Sequence, residues 1–266
     1  MDKISSALEQ IQIFDRLSRE DKWINRIHPL FKVIVTFFYI LLVLSFDKYH
    51  IVGLFTMLVY PLILFELSGI SLFKTLYRLR FLFLFISFFG VFNPFFDTKP
   101  LMVWNQITIT GGVVSMITLI GKGILSLLAS YLLIATTSIE GICYALRIMR
   151  VPKVLVTQIL LTYRYIPIFL LEVKYTLEAY SLKALRANGI HFKVWGSLVG
   201  LILLRSINRA YEVYQSMCLR GYRGEFYSIK YGRVLWIQSW YLIAWMIVLS
   251  LFRNYSIFEM IGDWFL

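Results

Sequence analysis

Apolar residues run in blocks along this chain, and polar ones gather between them. Five blocks have the length and continuity of bilayer spans, approximately 30–46, 51–67, 81–96, 113–137 and 234–252. About 20 helical residues cross the roughly 30 Å hydrocarbon core of a membrane. The first and third blocks are short, so Lys32 would have to snorkel to bring its ammonium to the headgroups. A sixth block, 154–171, is set aside as a span, because Arg164 sits near its centre and Pro167 follows. A central arginine costs about 3 kcal/mol on insertion scales. Residues 194–204 are apolar but too few to cross. Both stretches are read as parts of long helices lying on the inner face of the membrane or packed on the spans.

Three helices fit between the fourth and fifth blocks. The first, about 139–150, follows Thr136, Thr137 and Ser138, whose hydroxyls suit an N-cap, and carries Glu140 in its first turn. Pro152 ends it. The second runs from about 153 to 184 with a bend expected at Pro167, where the ring removes a donor and crowds the preceding turn. On it Phe169, Val173, Leu177 and Tyr180 recur at spacings of four, four and three, an apolar stripe. Asn188-Gly189 is the stop signal beyond it. The third helix, about 194–220, carries Leu203, Ile207, Ala210, Tyr214 and Met217 at alternating spacings of four and three, a stripe for packing on another helix. Arg205, Arg209 and Glu212 mark a different face, and the helix ends in Leu219-Arg220-Gly221 with Gly224 close behind.

Composition sets the class. The 266 residues are 59% hydrophobic, with 22 Phe, 17 Tyr and 7 Trp, and the mean hydropathy is +0.72. A soluble domain of this length needs less apolar residue, so the chain reads as an integral membrane protein. Its net charge of +12 would suggest nucleic-acid binding in a soluble protein, but here the basic residues collect in alternate segments. Residues 1–32 carry six Lys and Arg, 47–50 one, 68–80 three, the loop 97–112 one, 138–233 fourteen, and 253–266 one. By the positive-inside rule the N-terminus is cytoplasmic and the C-terminus outside, the parity that five spans give. The expected fold is therefore an all-α integral membrane protein of a cell inner or plasma membrane. Residues 1–137 would hold transmembrane helices one to four, 138–233 the cytoplasmic helices, and 234–266 the fifth span and an outer tail. No cleavable signal peptide is expected, because the first thirty residues are polar and charged.

Catalytic and metal chemistry find little support. Cys143 and Cys218 have no CxxC or His neighbour at metal spacing and read as small buried residues. His28, His50 and His191 are far apart in the expected topology. Gly121-Lys122-Gly123 looks like part of a phosphate loop, but Met116 stands where the first Gly belongs and Gly123 where a Ser or Thr should follow the Lys. Nucleotide chemistry therefore belongs to another polypeptide. Lys122, a charge inside the fourth span, is a functional candidate by default, with a helix partner or water as its structural alternative. No Ser/His/Asp set or paired carboxylates emerge for hydrolysis.

The two long cytoplasmic helices each end in basic residues, Lys183 or Arg186 in one and Arg220 in the other. C-capping explains a single such end, since a cation favours the last turn and Gly the left-handed position after it. Two of them on one segment also fit a docking surface, where an Arg at a helix tip makes directional hydrogen bonds to a partner's carboxylates or carbonyls.

Here the residues resemble a known family. Thr136-Thr137, Leu146 with Pro152, Tyr163-Arg164-Tyr165-Ile166, Glu172, Ala179-Tyr180-Ser181-Leu182 and Gly189-Ile190-His191 are landmarks of it. So are Leu203-Leu204-Arg205-Ser206, Arg209-Ala210, Ser216-Met217-Cys218-Leu219-Arg220-Gly221-Tyr222 and, near the start, Ile27-His28-Pro29 with Lys32. The chain resembles the transmembrane T component of energy-coupling factor (ECF) transporters, most closely the CbiQ branch associated with cobalt uptake. The likeness covers nearly all of it and is strongest over 130–225.

The resemblance implies that two short Arg-centred motifs dock in grooves of two ABC ATPase subunits. The rest of the chain would then hold a membrane substrate-binding S component of metal-binding type, with room for a small accessory membrane subunit. The second motif matches as Leu219-Arg220-Gly221. In the first, the family's Arg falls on Lys183, within Leu182-Lys183-Ala184, and Arg186 lies on nearly the same face. Either could dock. The stripe residues Phe169, Val173, Leu177, Leu203, Ile207, Ala210, Tyr214 and Met217 would pack against helices or the S component, with Pro152, Arg164, Pro167 and Arg209 in structural roles. The resemblance implies no catalysis and no cofactor in this chain; ATP and Mg²⁺ would bind the partner ATPases. Cobalt is the expected substrate, then nickel, then a vitamin. The rival classes are a membrane enzyme using Arg164 against lipid phosphates, and a membrane adaptor binding anionic lipid or acidic proteins through the +9 segment 138–233. No nucleic-acid partner is expected.

Overall fold

The computed structural model describes residues 2–20, 22–96, 100–104, 107–183, 191–224 and 236–254. The described chain is predominantly helical and divides into two compact units, one of residues 18–138 and 231–266, the other of residues 1–17 and 139–230.

The first unit is built round α8 (Gly111–Thr136), which packs against α3 (Pro29–Leu44), α4 (Ile51–Met57), α5 (Val59–Ser68), α6 (Leu72–Val91) and α7 (Asn93–Phe96). The helix α12 (Trp236–Asn254) closes on α3 and α4. A short helix, α2 (Trp23–Arg26), leads into α3, which starts with Pro29 in its first turn, where no N–H is needed. His28 caps it, its Nδ1 accepting the Leu30 N–H at 3.3 Å. The fourth apolar block is thus one helix, and the second is divided between α4 and α5 at Leu58. The third differs more. Its helix starts at Leu72, so Lys74, Arg78 and Arg80 lie on helix and not in a loop. Residues expected as an outer loop include an antiparallel hairpin, β1 (Pro100–Trp104) with β2 (Ile107–Thr110), in which Trp104 pairs with Ile107.

Small residues set how closely α8 meets α6. A Cβ on Gly123 would stand 2.8 Å from Ile86 Cγ2, and one on Gly90 2.8 Å from Ile120 Cγ1. Each helix thus offers a glycine where the other presents an isoleucine, the small-residue packing typical of membrane helices. Gly121-Lys122-Gly123 thereby acquires a packing role. Gly123 admits α6, and Lys122 turns to α3, donating to the carbonyls of Phe46 and, at 3.3 Å, Leu44. Lys32 departs from expectation. It does not snorkel: it is 4% exposed, and its Nζ donates to the Thr136 carbonyl at 2.7 Å.

The second unit contains α1 (Asp2–Arg19), α9 (Ile139–Ile148), α10 (Lys153–Lys183) and α11 (Phe192–Leu219). Sequence reading did not anticipate a helix at the N-terminus; α1 joins α10 through the Tyr163 hydroxyl, which donates to Asp15 Oδ1 at 2.8 Å. The helix expected over 139–150 stops at Ile148. Val151 N–H bonds the Leu146 carbonyl at 3.1 Å and Arg150 N–H the Arg147 carbonyl at 3.2 Å, with Arg150 left-handed at φ 64°. These two bonds close a helix by the Schellman pattern two residues earlier than Pro152 alone would. The Pro152 carbonyl then accepts from Leu155 and Val156 at 3.0 and 3.3 Å, starting α10. Helix α10 runs as one helix from Lys153 to Lys183 with Pro167 inside it.

By length and composition α8 and α10 are each able to cross a membrane. Helix α10 contains the block that Arg164 and Pro167 argued against, so its apolar content competes with the cost of placing that cation in a bilayer. The segments Pro29–Leu44, Gly53–Ser68 and Ser239–Arg253 are apolar but shorter.

Candidate functional site

The two long helices of the second unit carry the residues singled out for docking and contact. Arg205 of α11 donates through Nη1 to Glu172 Oε1 at 2.9 Å and to Thr176 Oγ1 at 3.4 Å on α10. Further along, Leu161 and Arg164 of α10 line a cavity of about 700 Å³ together with Arg209, Arg220 and Arg223. Glu172 thus lies beside Arg205 and Arg164 near Arg220, so the helices run antiparallel. At about 1.5 Å per residue, Lys183 lies roughly 30 Å along α10 from Arg164. The end of α10 and the end of α11 are therefore at opposite ends of the pair.

The end at Arg220 is built by backbone hydrogen bonds. Tyr222 N–H bonds the Met217 carbonyl and Gly221 N–H the Cys218 carbonyl, both at 3.0 Å, with Gly221 left-handed at φ 80°. This is the cap that also closes α9, now with a glycine where the left-handed residue is required. It leaves Arg220 exposed at the C-cap, beside Leu219 at 90% exposure. The other end has the same character, with Leu182 71% exposed and Lys183 the last residue of α10. Ala184 and Arg186, and the Asn188-Gly189 stop, lie outside the described residues.

The stripes meet only in part. Phe169 from α10 and Ala210, Tyr214 and Met217 from α11 line one open cavity of about 620 Å³ between the helices. Val173, Leu177, Leu203 and Ile207 do not line it, and Leu203 and Ile207 are exposed. Arg164 and Arg209, assigned to structural roles from sequence, are exposed and share the cavity at Arg220; Arg209 Nη1 also bonds Glu212 Oε2 at 3.3 Å. Arg223 joins them and was not singled out. Its proximity to Arg220 beyond the helix end was the available signal. Glu172 and Arg205 were recognised as landmarks, but their pairing was not, because residues 33 apart on two helices carry no mutual periodicity.

The cysteines differ. Cys143 is buried, and burial, with the carboxylate of Glu140 second, pushes its thiol up. Cys218 is exposed in the turn before Arg220 and hydrogen-bonds with Tyr214, which raises the Tyr214 phenol above its usual range. Among the described residues no group of three His, Cys, Asp or Glu side chains could hold a metal ion.

The CbiQ family model, described as cobalt transport protein, covers residues 20–231. No curated protein matches the chain.

Proposed function

The chain belongs to the CbiQ family of cobalt transport proteins, and from that premise we propose that it is the energy-coupling transmembrane (T) subunit of an ECF-type ABC importer for cobalt. Two separate ATPases bind ATP and Mg²⁺, and a membrane S component captures the ion. This chain transmits the motion of the first to the second. The observation that carries the proposal is the antiparallel pair of α10 and α11, with exposed basic ends about 30 Å apart. Two ends so separated suit two ATPase subunits better than one. Arg220, flanked by Leu219 and Gly221, is the anchor at one end. Lys183, or Arg186 beyond it, serves at the other, beside Leu182 and Ala184.

In this reading α3, α4 with α5, α6, α8 and α12 are the five spans. The N-terminus is cytoplasmic, the C-terminus is outside, and α9 to α11 lie on the cytoplasmic side. Closure of the ATPases shifts the two anchored ends, and the helices act as paired levers. The exposed apolar residues of α11, Leu203 and Ile207, press on the S component, as do Phe169, Ala210, Tyr214 and Met217 at the groove. Nickel, then a vitamin, follow cobalt as substrates, because the same coupling serves whichever S component is held.

Co-purification with candidate ATPases tests the proposal. Arg220→Glu should cut both ATPase recovery and ATP-driven cobalt uptake at least about tenfold, as expected for a docking anchor. Full recovery with unchanged uptake would end the docking proposal. Lys183→Glu and Arg186→Glu, made separately, identify the residue at the other end, since only the docking one should release an ATPase.

A further inference from the structure

Helices α3 and α8 each carry one lysine, and each lysine reaches the C-terminal end of the other helix. Lys32, in the first turn of α3, donates to the carbonyl of Thr136, the last residue of α8. Lys122 of α8 donates to the carbonyls of Leu44 and Phe46 where α3 ends. The last carbonyls of a helix lack intrahelical donors and carry the negative end of its dipole. An ammonium there satisfies both needs, and in an apolar setting a lysine is tolerated only with such partners.

The two caps are not equivalent. At the end of α3 the load is shared: Arg253 of α12 donates to the Ser45 carbonyl at 3.1 Å, and its guanidinium lies 4.4 Å from the Phe46 ring centre. At the end of α8 the Thr136 hydroxyl turns back onto the Leu132 carbonyl at 2.8 Å, leaving the backbone carbonyl to Lys32. Both Lys32 and Thr136 are buried there, and the next residue, Thr137, is 3% exposed with no hydrogen-bond partner for its hydroxyl among the described residues. Two residues later the chain enters α9 and, through it, α10 and α11.

We propose that Lys32 is a positioning residue for energy coupling: by holding the last carbonyl of α8 it stiffens residues 136–138, so that force arriving through α9 is delivered to α3 and α8 and is not lost in fraying of that turn. This rests on the reading of the chain as a coupling subunit. Lys122, whose end of the bundle is also held by Arg253 and lies away from this exit, serves stability without serving coupling.

The test uses the complete complex of this chain, its ATPases and its S component in vesicles, with cobalt uptake and ATP hydrolysis measured together. Lys32→Met should leave ATPase recovery and hydrolysis within twofold while uptake per ATP falls about tenfold, within the range seen for residues that transmit coupling. Lys32→Arg, which keeps a donor for the carbonyl, should restore most of it. Lys122→Met should leave uptake per ATP unchanged. Hydrogen exchange supplies a readout free of transport: Lys32→Met should speed exchange of the amides over 133–141, and Lys122→Met those over 43–47. Unchanged uptake per ATP in Lys32→Met, or unchanged exchange over 133–141, overturns the proposal. If Lys32→Met does not accumulate, insertion of two glycines after Ser138 decides. It keeps the Lys32 bond and softens the exit, so it should uncouple to a similar degree, and normal coupling overturns the proposal. Failure of the ATPases to bind even the unaltered chain is a different result, which removes the T-subunit reading itself.

Discussion

Lys32 and Arg205 are both cations that reach an oxygen on a neighbouring helix, at 2.7 and 2.9 Å, yet their surroundings differ. Lys32 is 4% exposed and meets a buried backbone carbonyl. Arg205 and Glu172 keep 46% and 41% of their side-chain surface open. Buried apolar groups are concentrated in the first unit, although its α6 also turns Phe73, Phe81 and Phe85 outward. In the unit built on α8, Tyr39 is fully enclosed, its hydroxyl on the Met57 carbonyl at 3.0 Å and its ring stacked on Tyr60 at 4.4 Å. In the unit of α10 and α11, Leu203, Ile207, Tyr214 and Leu219 lie open. The first unit gives Lys32 and Tyr39 partners inside a buried core of its own. The unit of α10 and α11 leaves half-open ion pairs and exposed apolar residues for lipid or another chain to cover, as the proposed lever role would require.

The sharpest way to break that contrast is to truncate one tyrosine in each unit. Tyr39→Ala should lower the unfolding free energy in detergent by about 3 kcal/mol or more, through a cavity and a lost hydrogen bond. Tyr214→Ala should change it by less than about 0.5 kcal/mol, as surface substitutions do. Equal losses would show that the second unit is as self-sufficient as the first.

Thiol labelling sharpens the contrast inside one unit. Burial holds the Cys143 thiol protonated and shielded, so a maleimide should modify Cys218 about 100-fold faster. Bound ATPases should then slow Cys218 because it adjoins Leu219 and Arg220. Labelling of Cys218 at one rate with and without ATPases would count against docking at that end.

Smaller effects probe the helix ends and the ion pair. Arg150→Gly, at the left-handed residue after α9, should stabilise the protein by about 1 kcal/mol by relieving backbone strain. A loss in thermal denaturation would mean that the Arg150 side chain matters more than its backbone. Arg205→Ala should cost about 0.5 kcal/mol, the usual worth of an open ion pair; a loss above about 2 kcal/mol would mean that the pair is shielded in the working protein.

Much of this was legible in the sequence because the information is local. Apolar continuity located α3, α4 with α5, α8 and α12 but only part of α6, and the Thr and Ser before 139, Pro152 and Gly221 marked helix ends within about two residues. The early stop of α9 was missed because it depends on a non-glycine residue adopting a left-handed turn. The hairpin over 100–110 was missed because too few residues alternate there to separate strand from loop. Helix α1 does carry an apolar stripe, Ile4, Leu8, Ile11, Phe14 and Leu17, but it lies in a polar, charged segment that a search for long apolar blocks passes over. The least legible features were the partners of Lys32 and Lys122: backbone carbonyls 104 and 76 residues away, which leave no residue type to recognise. The antiparallel pairing of α10 and α11 was hidden for a related reason, since each stripe states that a helix packs but not against what.

The bond from Lys32 to Thr136 also bears on how the protein is made. Ribosomes add about 5–20 residues per second, so the 104 residues between them separate the emergence of α3 from that of its partner by roughly 5–20 s. Through that interval Lys32 has no α8 to meet and must be accommodated by headgroups, water or the insertion machinery. The first apolar segment therefore cannot reach its final depth alone. With α3 and α8 as spans in the proposed topology, the first would settle only when the fourth arrives, and the two are expected to integrate as a pair.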